Sequence, residues 1–354
     1  MRSVLTPDEP ATPAMKAVRL GSDGRVEVVE MPAPSAGPGE AVLRLAAAGI
    51  CGSDLLDWYV RGKAGSVLGH EIAGEIVSVG AGVDLFSPGD RVVPHHHAPC
   101  LACPACAGGR FVHCAEWRAS RLDPGGMAEL VRIPAGNLSR DTLRIPDGLS
   151  DEAASWTEPL ATVVKAFARG GFAAGQSALV VGLGSAGQLA VRLASARGAA
   201  RIVGADRVKS RIAAARVSGA ADVIDVSSEP LSAGARRASE GLGFDFVFVC
   251  PGKPEVIREA AECVAAGGTL LLFTMAAPGD VLTLSPHDLY FREVRLVPSY
   301  SCGPRDTRAA LDLLASGAVA VEDLVTHRFP IKDAAEAFAR ARDPEGSIKV
   351  MIVP

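Results

Sequence analysis

Apolar runs broken by glycine turns divide the chain into two kinds of sequence. Residues 177–198, SALVVGLGSAGQLAVRLASARG, read as a buried strand over Ala178–Val181, a glycine turn and an alanine-rich helix. RIVGAD predicts a second strand ending at Asp206, and DVIDV, DFVFVC and GGTLLLF predict further strands, separated by helical stretches such as 254–266. Strand–helix alternation of this kind builds a doubly wound parallel sheet. Residues 15–160 instead carry short Val- and Gly-containing strands, the mark of an irregular β domain. The end, 314–354, contains VTHRFPIKDAAEAFARA and a final apolar strand.

Length and composition fit this division. A chain of 354 residues is long for one core, and 48% apolar content is ample for two. Aromatics make up only 5%, so the cores are expected to rest on Ala, Val, Leu and Ile. The net charge is −4 and the pI about 6.0, with no basic block, which argues against a nucleic-acid partner. No apolar run approaches the ~18 residues of a membrane span. The start, MRSVLTPDEPATPAMKAVRL, puts prolines and acids where a signal peptide needs an apolar core. A cytoplasmic protein is expected, with residues 1–14 as a disordered tail and Met15 as an alternative start.

Four of the eight cysteines fall in PCLACPACAGGRFVHC, at Cys100, Cys103, Cys106 and Cys114. Structural disulfides are not expected in a reducing compartment. Such spacing lets one small loop wrap four thiolates around a tetrahedral zinc ion, closing its shell. An iron–sulfur cluster and metal-free thiols are the competing readings. A closed shell staples a loop and leaves no position for chemistry.

A second, mixed set lies elsewhere. Residues 46–80 hold Cys51, Asp54, His70 and Glu71, and WTEPLATVVKAF holds Glu158 in an apolar run. One thiolate, one imidazole and one carboxylate make an open zinc shell that keeps a place for water or substrate. Each residue alone has a bland reading as core or loop. In the other half, Gly182, Gly184 and Gly187 give G-x-G-x-x-G between a strand and a helix. That context permits a tight turn and close approach of a pyrophosphate to a helix N-terminus. Asp206, nineteen residues after Gly187, can accept hydrogen bonds from ribose hydroxyls and would repel a 2′-phosphate, favouring NAD over NADP. Arg207 directly follows and could soften that preference.

With GICGSD, GHEIAGEIVSVG, the four-cysteine stretch, EPLA and the glycine motif in this order, the chain resembles the zinc-dependent medium-chain dehydrogenases, the family of alcohol, sorbitol and threonine dehydrogenases. The likeness runs from about residue 15 to the C-terminus. It implies a GroES-like irregular β catalytic domain (15–160 and 314–354) with both zinc sites, and a Rossmann NAD-binding domain (161–313). By position, Cys51 and His70 resemble the first two catalytic zinc ligands, and Glu158 stands where sorbitol and threonine dehydrogenases place glutamate. Glu71 would be an alternating ligand or a neighbouring carboxylate, Asp54 the acid that orients the histidine, and Ser53 the hydroxyl that takes the substrate proton.

The resemblance also places Leu183 in the glycine turn, Arg211 beside the ribose and adenine, Thr162 against the nicotinamide and Lys349 on the pyrophosphate. Two departures stand out. Leu56 replaces a histidine that passes the proton to solvent in many relatives, and the segment between Cys51 and His70 is shorter than expected for sorbitol dehydrogenases.

His95 and His96 are read as loop residues leading into the cysteine lobe. His97, three before Cys100, stands where threonine dehydrogenases have a histidine near substrate. Trp58, Tyr59 and Tyr300 are candidate pocket residues. Tyr300 and Ser301 replace the usual Phe-Arg of sorbitol dehydrogenases, which counts against sorbitol itself. Cys250, Cys263 and Cys302 are taken as inert thiols. The expected reaction is reversible oxidation of a secondary alcohol, on a polyol or related compound, with two zinc ions per chain and a homodimer or homotetramer. The alternatives are a threonine-dehydrogenase-like enzyme and a non-catalytic nucleotide-binding relative.

Overall fold

The computed structural model describes residues 13–354, so most of the N-terminal segment read as a tail lies outside the described residues. Ala14 and Met15 do not belong to it. They open β1 (Ala14–Leu20), which pairs antiparallel with β2 (Val26–Pro32), and Met15 is buried. The alternation of AMKA explains this, because Met15 and Ala17 are buried between exposed Ala14 and Lys16, and from Val18 onward the strand is covered on both sides.

The larger β unit comprises β3 (Ala41–Gly49), β4 (Glu71–Val79), β5 (Arg91–Pro94), β6 (Leu130–Ile133) and β7 (Thr142–Arg144). A parallel sheet follows, made of β8 (Ser177–Val181), β9 (Arg201–Asp206), β10 (Asp222–Asp225), β11 (Phe244–Val249), β12 (Val264–Leu272) and β13 (Arg295–Pro298). Its order is β10-β9-β8-β11-β12-β13, so the chain reverses direction across the sheet between β8 and β11. Ligands of doubly wound sheets bind outside the strand ends at such a switch point. The last strands, β14 (Val325–Pro330) and β15 (Lys349–Val353), return to the first unit, giving the order β14-β15-β3-β4-β5-β7 with β6 paired to β3.

Two details differ from the sequence pattern. The helix expected over 254–266 stops at Glu262, and β12 starts at Val264, before the glycine pair. Val264 pairs with Phe244 and Thr269 with Phe246, so β12 itself bulges over the intervening residues 265–268. Helices Thr157–Gly170 and Pro304–Ala315 each run without a break across the divisions drawn at 160 and 313. The first of them joins the two halves. Trp156, Leu160 and Phe167 share one buried cluster with Ala73 and Val93 of the β unit and with Phe246, Phe248 and Leu271 of the parallel sheet.

Candidate active site

The register of β3 on β4 builds the mixed donor set. Gly49 lies opposite Glu71, so Cys51, two residues past β3, meets His70, one residue before β4. The ligand atoms of Cys51, His70 and Glu71 all lie within 4.8 Å of one another. Cys51 then caps a short turn, its Sγ accepting from Ser53 Oγ at 3.2 Å and from Ser53 N at 3.5 Å. Asp54, 3% exposed, turns back beneath the set. Its Oδ2 lies 3.7 Å from His70 Nδ1 and has no hydrogen-bond partner among the described residues. A carboxylate behind a histidine is the arrangement that orients a metal-ligating imidazole.

Lys349, which the resemblance sets on the pyrophosphate, is engaged with the mixed donor set. It is 2% exposed, and its Nζ pairs with Glu71 Oε2, donates to Ile50 O at 3.2 Å and lies 5.1 Å from the centre of the Trp156 ring. The cause is strand pairing: β15 runs antiparallel to β3 with Met351 opposite Gly49, which brings Lys349 over the start of β4. A Cβ at Gly49 would collide with both Glu71 and Lys349, so only glycine leaves room for this pair.

Glu158, at the start of helix Thr157–Gly170, joins a different trio. Its ligand atom lies within 4.8 Å of those of His95 and His96. The two sets touch, since the His70 and His96 rings are 5.0 Å apart. His95 and His96 lie in the loop that follows β5, as their sequence suggests, but that loop runs inward rather than over the surface. β5 ends at Pro94 and delivers them directly into the interior. His95 Nδ1 faces Asp141 Oδ2 at 2.7 Å, Asp141 Oδ1 accepts from Thr307 Oγ1 at 2.6 Å, and His95 Nε2 lies 3.5 Å from Cys302 Sγ.

The electrostatics favour a cation here. Burial works against charge on His70, but Cys51, Asp54 and Glu158 outweigh it and hold its pKa well above the ordinary value. Burial pushes the Glu158 carboxyl up, and Glu71 adds to this, partly offset by His70, His95 and Lys349. Burial and the neighbouring histidines push His96 well below its ordinary value, so it is a neutral ring. Its Nδ1 is buried without a partner among the described residues. Thiolate, imidazole and carboxylate donors around one point, with an orphaned carboxylate oxygen behind the histidine, fit zinc.

Cys100, Cys103, Cys106 and Cys114 converge as a second set within 4.8 Å, and all four are free thiols. Sγ–Sγ separations are 3.6 Å for Cys103–Cys106 and 3.9 Å for Cys100–Cys106. Four sulfurs at tetrahedral zinc stand about 3.8 Å apart. Backbone N–H groups also point at the sulfurs, from Cys103 to Cys100 and from Cys100 to Cys114, each at 3.3 Å. Burial raises Cys114, yet these and other N–H donors prevail and hold it low, at about 6. Phe111, Val112 and Trp117 give the lobe a small core of its own.

Between the units lies a cleft of about 210 Å³, lined among others by Ile50, Leu55, Gly184, Ser185, Gly187 and Arg211. Gly182 has φ +85°, a conformation glycine adopts freely, and a Cβ at Gly187 would strike the Gly182 carbonyl. Leu183 is buried and its N–H donates to Asp206 Oδ2 at 2.6 Å. Asp206 Oδ1 accepts from Arg207 N and Val208 N, so the main chain fixes the carboxylate at the end of β9. Arg211 donates to Ser347 O from Nε and Nη2 and lies over Gly184. Thr162 is half-buried, its hydroxyl donating to Pro159 O at 2.7 Å.

Of the pocket candidates, His97 stacks on Trp117 with ring centres 4.0 Å apart, and Tyr300 meets Trp117 edge-on at 5.8 Å. Burial raises the Tyr59 phenol, and His70, Asp54, Cys51 and Arg121 all act on it, which sets Tyr59 at the site. Trp58 packs edge-to-face on Tyr59 at 5.7 Å. Sequence reasoning gave no role to Asp141, Lys63, Arg118 or Arg121. No motif marks them, and only the fold brings them to the site.

An irregular β unit with a mixed cysteine–histidine–glutamate set and a four-cysteine lobe, closed against a parallel sheet with a glycine turn, defines a zinc-dependent medium-chain dehydrogenase. The chain belongs to that family. Residues 37–147 match the alcohol dehydrogenase GroES-like domain and residues 186–316 the zinc-binding dehydrogenase domain. It is 31% identical to D-altritol 5-dehydrogenase of Agrobacterium fabrum, covering 95% of this chain and 98% of that one. It is 30% identical to L-threonine 3-dehydrogenase of Bacillus licheniformis, covering 92% and 94%. Among solved structures, alcohol dehydrogenase TADH from Thermus sp. ATN1 superposes with a TM-score of 0.84 at 30% identity, covering 96% of this chain and 99% of that one.

Proposed function

We propose that the protein is a zinc- and NAD-dependent dehydrogenase that reversibly oxidises a secondary alcohol of a polyol or related hydroxyl compound to a ketone. The observation that carries this is the placement of Cys51, His70 and Ser53 beside Ile50 and Leu55, which line the cleft under the glycine turn. Cys51 and His70 would hold the catalytic zinc with one carboxylate, Glu71 or Glu158, and the four-cysteine lobe would hold a structural zinc. A bound zinc supplies Lewis-acid polarisation that lowers the pKa of a substrate hydroxyl, and a bound nicotinamide supplies the hydride acceptor.

The chain's own residues do the rest. Ser53 Oγ holds the substrate proton next to Cys51. Asp54 orients His70 from behind. Leu56, an aliphatic side chain, offers no onward proton path, so the proton leaves from Ser53 by another route. Thr162 would pack on the nicotinamide and the glycine turn would receive the pyrophosphate. Asp206, held by three main-chain N–H groups, retains lone pairs for ribose hydroxyls and favours NAD over NADP. Exposed Arg207 beside it makes the preference a matter of degree.

The test is an NAD-linked screen of sugar alcohols, amino alcohols and hydroxy acids on zinc-loaded enzyme. NADH formation with a polyol supports the reading. Turnover of L-threonine alone would replace it with the threonine-dehydrogenase reading, which His97 favours by its ring contact of 4.1 Å with His96. Cofactor binding with no turnover of any alcohol would identify a non-catalytic relative.

We also infer a homodimer or homotetramer. β13 is an edge strand of the parallel sheet, and Tyr290 (77% exposed) and Phe291 (70%) stand beside it. Unpaired strand edges with exposed apolar neighbours invite association. Sedimentation of the native chain against a Tyr290→Glu, Leu296→Lys variant checks this: the native chain should run as an oligomer and the variant as a smaller species.

A further inference from the structure

The rim above Cys51 and His70 carries more positive charge than the known site requires. Arg121 is exposed, and its Nη1 donates to Ser120 O at 2.6 Å and Arg118 O at 2.7 Å and faces His97 Nδ1 at 3.2 Å. These contacts fix one corner of the guanidinium. No carboxylate among the described residues lies within 4.0 Å of it, and its Nε and Nη2 have no hydrogen-bond partner there. Arg118, also exposed, donates to Val112 O and meets His113 Nδ1, and it too lacks a carboxylate partner among the described residues. Lys63 lies 3.7 Å from buried Asp54 and 4.2 Å from the centre of the Tyr59 ring.

Arg121 and Lys63 lie beside the site. From Arg121 the path runs through His97 to His96, ring centres 4.1 Å apart, and from His96 to His70 at 5.0 Å. Burial raises the Tyr300 phenol and Tyr59 adds to this, while Arg118, Arg121 and Lys63 pull it back, so the same three cations reach Tyr300. The clustering is local, because the chain as a whole has a net charge of −4. The two carboxylates deeper in the site, Glu71 and Glu158, lie against Lys349 and the histidines rather than against this rim.

We propose that Arg121 is a specificity residue that selects substrates carrying an anionic group, a phosphate or a carboxylate, at the end of the molecule away from the reacting carbon. An arginine held by two main-chain carbonyls presents its remaining N–H groups in a fixed fork, the geometry that takes two oxygens of a phosphate or carboxylate. Lys63 and Arg118 add to the positive field around Tyr59 and Tyr300 that draws such a group in. This assignment rests on the polyol-dehydrogenase reading and narrows its substrate class.

The experiment uses zinc-loaded enzyme with saturating NAD and three matched substrates: a hexitol, its 1-phosphate and the corresponding aldonate. Native enzyme should prefer a charged member over the neutral one, the better of the two identifying the anion as phosphate or carboxylate. Arg121→Gln should lower the charged-to-neutral ratio of kcat/KM by about ten- to a hundredfold, chiefly through KM, as expected for a charge-assisted hydrogen bond. Arg121→Lys should keep part of that ratio. A native preference for the neutral hexitol, or an equal loss on all three substrates in Arg121→Gln, overturns the proposal. Failure to turn over any of the three is a failure of the polyol reading, and the anion site is then judged by melting temperature. With NAD present, inorganic phosphate or tartrate should raise it in the native protein more than in Arg121→Gln. An equal response overturns the assignment.

Discussion

At the scale of single residues, the two carboxylates near His70 are not equivalent. Lys349 already neutralises Glu71, whereas Glu158 has no ion pair among the described residues. An uncompensated buried carboxylate is costly and is relieved by a metal. Glu158→Gln is therefore expected to lose the catalytic-site zinc, measured as a fall from about two metal ions per chain to about one, while Glu71→Gln retains more of it. Equal retention in both variants would show that neither carboxylate governs affinity. The Glu71–Lys349 pair makes a second prediction. Removing one partner leaves a buried charge, so Lys349→Met should destabilise the apoprotein by about 3 kcal/mol. The double variant Lys349→Met, Glu71→Gln should recover much of that loss in denaturant unfolding. Residue identity was legible for Cys51, His70, Glu71 and Glu158, because short motifs announce them. Partnership was not: the sequence offers no sign that Lys349 pairs with Glu71 until β15 is placed beside β3 in register.

At the scale of elements, the strand–turn–helix from Ser177 to Ala196 was fully legible, since a buried run, three glycines and an alanine-rich helix are contiguous in sequence. Its weak point follows from geometry. Gly187 sits so close to the Gly182 carbonyl that any Cβ forces the turn open. Gly187→Val should therefore weaken NAD binding by more than about tenfold in a fluorescence titration, through loss of close phosphate approach at the helix N-terminus. Unchanged binding would mean that the cofactor does not use this turn. The His95–His97 segment shows the opposite case. The sequence HHH beside a cysteine lobe has no period that marks it as buried. Its burial depends on Asp141 and Thr307, residues far along the chain that supply the hydrogen bonds an interior histidine needs. The limits of the 254–266 helix differ for a similar reason, because the pairing of Val264 with Phe244, followed by a bulge in β12 itself, decides where that strand begins.

At the scale of the whole molecule, the glycine-turn helix is tied to the returning C-terminal segment by one charged contact. Arg192, nearly buried in helix Ser185–Ala196, donates two bonds to Asp323, at 2.7 Å and 2.6 Å, and one to Ser218 Oγ at 2.9 Å. Hydrogen bonding from Arg192 holds the Asp323 carboxyl below its ordinary value, with the guanidinium charge adding to it. A group whose pKa is lower in the folded than in the unfolded state stabilises the fold above its unfolded value, about 3.9 for aspartate, and loses that contribution as pH falls through the folded value. Asp323 is about half exposed, so solvent screening limits the gain to about 1 kcal/mol. Asp323→Asn should therefore be less stable than the native protein near pH 7, and the gap in denaturant midpoint should close as pH falls below about 4. A gap that persists at low pH would assign the contact to shape rather than charge. Were the variant as stable as the native protein at neutral pH, the junction between helix Ser185–Ala196 and the segment leading into β14 would be held by apolar contacts such as Leu189, Val319 and Leu324 of the shared core.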